Sequence, residues 1–151
     1  MLRSEYLWQA VRILAACAVS YGASRLIGLQ EGYWALVTAV VVTQPALDST
    51  LAAGRDRVLG TVIGALAGLA VLGGGELGFS SLVLFWIALL PLAILTAIKP
   101  NLRLCCITLV IVVLVPSTAG TRFVRPLQRV LEILIGTLAS IAITAAFPQQ
   151  R

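Results

Sequence analysis

Long apolar stretches dominate this chain, and short polar or proline-containing segments separate them. A bilayer core of about 30 Å needs about 20 apolar residues in each helix. Two of the stretches, 32–47 and 102–116, are short and carry a proline at or near their ends, Pro45 and Pro116, where proline removes a backbone donor. If one of these dips into the bilayer and returns, the chain has five spans instead of six. The six membrane helices that we predict cover about 6–28, 32–45, 58–74, 77–98, 102–115 and 127–147.

Polar residues mark where the predicted helices begin and end. Residues 48–57 are charged and polar, and we interpret them as a connection before the third helix. Gly73, Gly74 and Gly75 are expected to end that helix, because they lack side chains that would stiffen it. In the first helix, Arg12 and Arg25 lie near the two ends and are interpreted as anchors whose long side chains reach the membrane surface.

The composition is that of an integral membrane protein. Of 151 residues, 60% are hydrophobic and 11% charged, which leaves no room for a soluble domain beside the spans. We therefore predict one membrane domain over 1–151. The net charge of +5 comes from basic residues spread between apolar runs, so nucleic-acid binding is not expected.

No chemistry of a catalytic kind is visible in the sequence. The chain has no histidine, its six acidic residues are scattered, and it contains no phosphate-binding loop or nucleophile motif. All three cysteines lie in apolar runs, where we interpret them as small hydrophobic residues. We expect no enzyme activity, no metal site and no cofactor.

Glycines recur at every fourth position in the third predicted helix. Gly60, Gly64 and Gly68 lie on one helical stripe, and Arg57 precedes them by three positions. Such spacing lets a second helix approach closely in the membrane. A weaker copy follows 72 residues later, because residues 57–68 and 129–140 are identical at seven of twelve positions and Gly136 corresponds to Gly64.

This internal similarity predicts a duplication of a three-helix unit, with halves at about 6–75 and 77–147. Since an odd number of spans separates them, the two units have inverted orientations. Seven of eleven basic residues fall on the cytoplasmic side if both termini lie there, which is the orientation we predict. Inversion explains why Arg122, Arg125 and Arg129 fall on the opposite side.

Two arginines near helix starts are candidate substrate-binding residues. Arg57 and Arg129 each combine a planar guanidinium with the positive end of a helix dipole, which suits a carboxylate. As an alternative, both are interface anchors, with Arg57 paired to Asp48 or Asp56, and Arg129 to Glu132.

Further candidates lie at the predicted helix break and inside the helices. Gln44 and Thr61 could donate hydrogen bonds to a substrate, although a threonine in a membrane helix often bonds its own backbone. Glu132 occupies the position of Gly60 in the second copy. A carboxylate within the membrane is costly, so Glu132 is a candidate for proton coupling unless Arg129 neutralises it.

Several short motifs follow one another between residues 33 and 64. Tyr33, Trp34 and Ala35 open an apolar run into Gln44 and Pro45, and Gly54, Arg57, Gly60, Thr61 and Gly64 follow. This order of motifs resembles the fusaric acid resistance family (FUSC), also called the aromatic acid exporter or integral membrane bound transporter family. The resemblance covers about 6–147 and is strongest over 33–68.

The resemblance implies a six-helix domain in the bacterial inner membrane that takes part in export of small organic anions, typically aromatic carboxylates. Many family members carry two such membrane halves and a cytoplasmic region. Since this chain has one half, we expect it to work in the lipid bilayer as a homo-oligomer or with a second membrane chain. An anion channel of the same fold, and an accessory membrane subunit without transport of its own, remain alternatives.

Overall fold

The described part of the chain is all helical. The computed structural model describes residues 2–29, 31–115 and 123–147, in which six α-helices and no β-strand occur. Pro116 and Arg122 lie outside these ranges, and the side chain of Arg125 is likewise not described. The helices are α1 (Leu2–Leu26), α2 (Tyr33–Val42), α3 (Leu47–Glu76), α4 (Ser81–Ile98), α5 (Leu104–Leu114) and α6 (Val124–Ala146), and a 3-10 turn (Pro100–Leu102) precedes α5.

Within the described ranges, three helices are long and apolar enough to cross a membrane. They are α3, α4 and the Pro126–Ala146 part of α6. The apolar helices α2 and α5 are shorter, and α1 is long but contains Gln9 and Arg12 among its apolar residues. The prediction of an all-helical membrane protein is confirmed at this level, and the crossing of the bilayer by α1, α2 and α5 stays a prediction.

The start of α3 differs from the prediction. Residues 48–57, interpreted as a polar connection, belong to the helix, which begins at Leu47. Arg57 therefore lies inside α3, and the expectation that it stands at the positive end of a helix dipole was wrong. Thr50 stabilises this start: its Oγ1 accepts the Gln44 N–H at 3.0 Å and lies 3.1 Å from the Ala46 carbonyl, to which it donates. The charged side chains of Asp48 and Arg55 are exposed. A helix accommodates them because only one of its faces is buried.

The end of α3 also lies later than predicted. The helix continues through the three glycines to Glu76, and the chain then turns at Gly78, which has a φ of +91°. A positive φ favours glycine because this residue has no Cβ. The end of α3 therefore depends on the backbone conformation at Gly78 and not on Gly73, Gly74 and Gly75.

The helices are grouped into two compact units. Unit 1 contains Met1–Arg57 and Leu131–Arg151, and therefore α1, α2, the start of α3 and most of α6. Unit 2 contains Val58–Val130, and therefore most of α3, α4, α5 and the start of α6. Each unit thus combines complete helices with parts of the long helices α3 and α6.

Unit 2 has an apolar core next to a close helix contact. Gly60 and Gly64 of α3 lie against α5, and a Cβ added at Gly64 would stand 2.7 Å from the Cβ of Thr108 and even closer to the carbonyl oxygen of Cys105. Gly68 continues the contact at Val112. Small residues thus let the two helix backbones approach each other. The buried core cluster of this unit is Val71, Phe85, Leu92, Cys105 and Leu109.

Candidate substrate-binding interior

Small residues join α2 to α6 in unit 1. A Cβ added at Gly136 would lie 2.5 Å from the carbonyl oxygen of Ala35 and 2.8 Å from the Cβ of Thr38. One turn further along α6, the Ser140 hydroxyl lies between two carbonyl oxygens, that of Gly136 in its own helix at 2.8 Å and that of Ala39 in α2 at 3.3 Å. The two helices therefore touch through backbone and short side chains, which leaves little space there for large apolar groups.

Most buried side chains of unit 1 are polar, and its buried apolar residues are mainly alanines. Apart from Leu29, Val42 and Ile133, the described large hydrophobic side chains of this unit are exposed or partly exposed. In a membrane, buried polar groups that face the protein interior commonly mark the path of a substrate or ion. The buried polar or charged residues of this unit are Arg12, Ser20, Ser24, Thr38, Thr43, Thr50, Arg57, Glu132, Thr137, Ser140 and Thr144.

One face of α1 supplies part of this interior. Arg12, Ala16, Ser20 and Ser24 recur at every fourth position, and all four are fully buried. Such spacing places them one above the other on a single helix face. Arg25 is exposed, as expected of a surface anchor. The interpretation of Arg12 as a second anchor was wrong, because its side chain is only 1% exposed.

The Arg12 guanidinium is held at the break between α2 and α3. Its Nη1 donates to the carbonyl of Pro45 at 2.9 Å and to Oε1 of Gln9 at 3.3 Å. Gln9 in turn donates from Nε2 to the carbonyl of Thr43 at 3.1 Å. The chain break thus exposes carbonyl groups that α2 no longer uses, and α1 side chains bind them.

Among the described side chains of unit 1, buried charge is positive on balance. Arg57 is 4% exposed and Glu132 is 1% exposed, so two buried guanidinium groups, those of Arg12 and Arg57, stand against one buried carboxylate. Unit 2 contains a further buried cation, Arg129, which is 6% exposed. Such burial is not expected of arginines that reach the membrane surface.

Comparison with known proteins assigns the family. The profile of the Fusaric acid resistance protein-like family matches residues 13–143, which is most of the chain. The chain belongs to this family. The resemblance noted in the sequence is therefore confirmed, and the matched range includes Arg57, Arg129, Gly64 and Gly136.

One curated relative of this fusaric acid resistance-like chain is the Inner membrane protein YccS of Escherichia coli (strain K12). The two are 33% identical over 63 residues, which is 42% of this chain and 9% of that protein. The match thus spans a small part of the length of YccS. No solved structure matches this chain.

The remaining predicted residues of the fusaric acid resistance-like domain are divided between the units. Gln44, which lies in unit 1, is partly exposed and donates from Nε2 to the Val41 carbonyl at 3.1 Å. Thr43 likewise donates to its own helix, to the Ala39 carbonyl at 2.7 Å. Thr61 is fully buried in unit 2. The side-chain donors of Thr43 and Gln44 therefore bind carbonyls at the end of α2. The side-chain oxygen of Gln44 can only accept a hydrogen bond.

Arg12 is the charged residue of this interior that the sequence analysis did not select. A signal for it exists, because polar or small residues recur at 9, 12, 16, 20 and 24 in the first helix of this family member. That spacing indicates a helix face that avoids lipid. We did not recognise this face in the sequence because most residues of the helix are apolar.

Proposed function

We propose that this chain is the membrane part of an exporter of small organic anions, typically aromatic carboxylates. The observation that carries the proposal is the polar interior of unit 1, where two arginines and one glutamate are buried. Burying net charge is unfavourable, so an excess of buried cations favours an anion as the bound species. Arg57 and Gln44 of unit 1 are candidate contacts of the anion, and Glu132 of the same unit is the candidate for proton coupling. Arg129 and Thr61, which belong to unit 2, are proposed separately as substrate-binding residues.

Family membership supports a transport role in the bacterial inner membrane. The chain is a fusaric acid resistance-like membrane protein, and a relative that it matches is named an inner membrane protein. In the described part of the chain, three helices are suited to crossing a bilayer. We propose that the remaining helices also cross or enter it, and that both termini are cytoplasmic.

A matching contact in each unit supports an origin by duplication. Gly64 faces the carbonyl oxygen of Cys105 and the Cβ of Thr108, and Gly136 faces the carbonyl oxygen of Ala35 and the Cβ of Thr38. In both cases the glycine of a long helix meets a carbonyl and, three residues later, a threonine of a short helix. We propose two three-helix repeats, and inversion follows from the odd number of spans in each.

The working form is proposed to be a homo-oligomer or an assembly with a second membrane chain. Helix α4 is the least buried of the three long helices, and its exposed apolar residues include Trp86 and Leu90. Lipid or another chain must cover such a face.

Reconstitution into liposomes tests the proposed function. Vesicles loaded with benzoate should release it at a rate that saturates with concentration, and neutral benzamide should show no protein-dependent release. A rate that rises without saturation would indicate a channel, and release only after addition of a second chain would indicate an accessory subunit. Protein-containing vesicles that never release benzoate faster than empty ones would overturn the exporter.

A further inference from the structure

Arg12 has two donors that the described protein does not use. Its Nη1 is bound to Pro45 and Gln9, while its Nε and Nη2 are buried without a hydrogen-bond partner among the described residues. Arg12 is also 1% exposed, so its side chain does not reach bulk solvent. Buried polar groups are normally paired, and a charged donor without a partner is especially costly. This arrangement indicates a partner that is not part of the described chain.

The geometry of the two donors limits the chemistry of that partner. Nε–H and one N–H of Nη2 lie along the same edge of the planar guanidinium and point in nearly the same direction. That edge matches the two oxygens of a carboxylate, which it binds through two parallel hydrogen bonds. Because Nη1 is fixed by the Pro45 carbonyl at 2.9 Å, this edge has one orientation before the ligand arrives.

Hydroxyl and aromatic groups lie at the same end of unit 1. Thr144 is buried, and its Oγ1 has no hydrogen-bond partner within the described ranges. It precedes Phe147 by three residues, and the Phe147 ring meets the Trp8 ring edge to face at a centroid distance of 6.0 Å. Trp8 in turn precedes Arg12 by one helical turn. The partly exposed Trp8 ring, with Phe147 against it, therefore lies one helical turn along α1 from a carboxylate bound at Arg12.

We infer that Arg12 is the residue that binds the carboxylate of a small aromatic acid, through Nε and Nη2. The site lies at the break between α2 and α3, with Trp8 and Phe147 as the neighbouring aromatic surface. This inference rests on the proposed function and names a binding residue for it. Phosphate offers similar oxygens, but the aromatic pair favours an aromatic carboxylate.

Equilibrium binding to the full chain in detergent tests the site, with sodium benzoate as probe. Trp34→Phe combined with Trp86→Phe leaves Trp8 as the reporter. Its fluorescence should change in a saturable manner with benzoate, and not with benzamide or inorganic phosphate. Arg12→Lys keeps the charge but removes the fork, and we expect it to weaken benzoate binding by ~10- to 100-fold. Arg25→Lys, on the exposed part of the same helix, should bind like the parent.

Three results would overturn the site: an Arg12→Lys protein that binds benzoate as tightly as the parent, equal binding of benzamide, or no saturable response of the parent. The comparison of benzoate, benzamide and inorganic phosphate is made on protein that keeps Arg12. It therefore tests the site even if Arg12→Lys fails to fold. Transport separates this inference from the exporter. If the parent and Arg12→Lys release benzoate equally, Arg12 is not the binding residue, and the proposed exporter function still stands. If benzoate binding depends on Arg12 but no vesicle releases benzoate, the binding site stands and the exporter function is wrong.

Discussion

Gly136 of α6 lies so close to Thr38 of α2 that a Cβ added to the glycine would stand 2.8 Å from the threonine Cβ. The hydroxyl of Thr38 is buried in the same contact region, and the side chain is fully inaccessible. Gly64 has the corresponding relation to Thr108 in unit 2, at 2.7 Å. Close helix contacts of this kind depend on the absence of a side chain.

Alanine at either glycine should destabilise the protein. Gly136→Ala and Gly64→Ala each push a methyl group into a carbonyl and a threonine of the neighbouring helix, which we expect to cost about 1–3 kcal/mol. Gly73→Ala is the matched control, since a Cβ there meets nothing within 4 Å. It should be neutral or more stable by about 0.5–1 kcal/mol because alanine favours a helix. Thermal unfolding in detergent measures all three, and equal unfolding temperatures would contradict the contact.

The start of α3 should depend on the hydroxyl of Thr50. Thr50→Ala leaves the Gln44 N–H without its bond, and we expect a loss of about 1–3 kcal/mol. Thr50→Ser keeps the hydroxyl and should lose less. Ser49→Ala, at an exposed neighbour, is the control. Unfolding by a denaturing detergent, followed by circular dichroism, ranks the variants, and a Thr50→Ala protein as stable as Ser49→Ala would rule out this cap.

Arg57 and Arg129 should matter for transport more than exposed arginines do. Arg57→Ala and Arg129→Ala are each expected to lower benzoate release from liposomes by about tenfold, the effect of losing a charged hydrogen bond. Arg55→Ala is exposed and should change the rate by less than about twofold. Rates are compared at equal amounts of inserted protein. Release at the parental rate by both buried variants would leave them with a structural role only.

Glu132 is expected to couple transport to protons. In the parent, a proton gradient should accelerate benzoate release, and Glu132→Gln should lose this acceleration because the amide does not titrate. Glutamine has the same shape, so the fold should survive. Glu76→Gln, at the exposed end of α3, provides the control. A Glu132→Gln protein with a full response to the gradient would exclude the coupling role.

If the two repeats are inverted, the starts of α3 and α6 lie on opposite sides of the membrane. Cysteines at Ser49 and Phe123, both exposed, are introduced singly into a variant without Cys17, Cys105 and Cys106. A membrane-impermeant maleimide should label one of them from outside the cell and the other only after the membrane is opened. Labelling of both from the same side would remove the inverted arrangement.

Much of the helix pattern was predictable, because it depends on local sequence. Apolar runs and the prolines after them located α2 and α5 to within a few residues, and the Lys99 to Asn101 segment ended α4 as expected. The start of α3 was missed for a physical reason. The charged residues at 48–57 were interpreted as a loop, but a helix can keep such side chains on its exposed face. The Thr50 hydroxyl accepts the backbone N–H of Gln44, which precedes the helix.

The sequence by itself determined the helical membrane class, the family and the glycine stripe, because hydropathy and residue spacing express these within one segment. It did not determine which face of α1 is buried. Arg12 could reach the surface or turn inward, and only the tertiary structure decided this, by placing the Pro45 carbonyl beside it from 33 residues away. A break in one helix thus supplies the acceptor that holds the cation of another, and no pattern within either segment contains that relation.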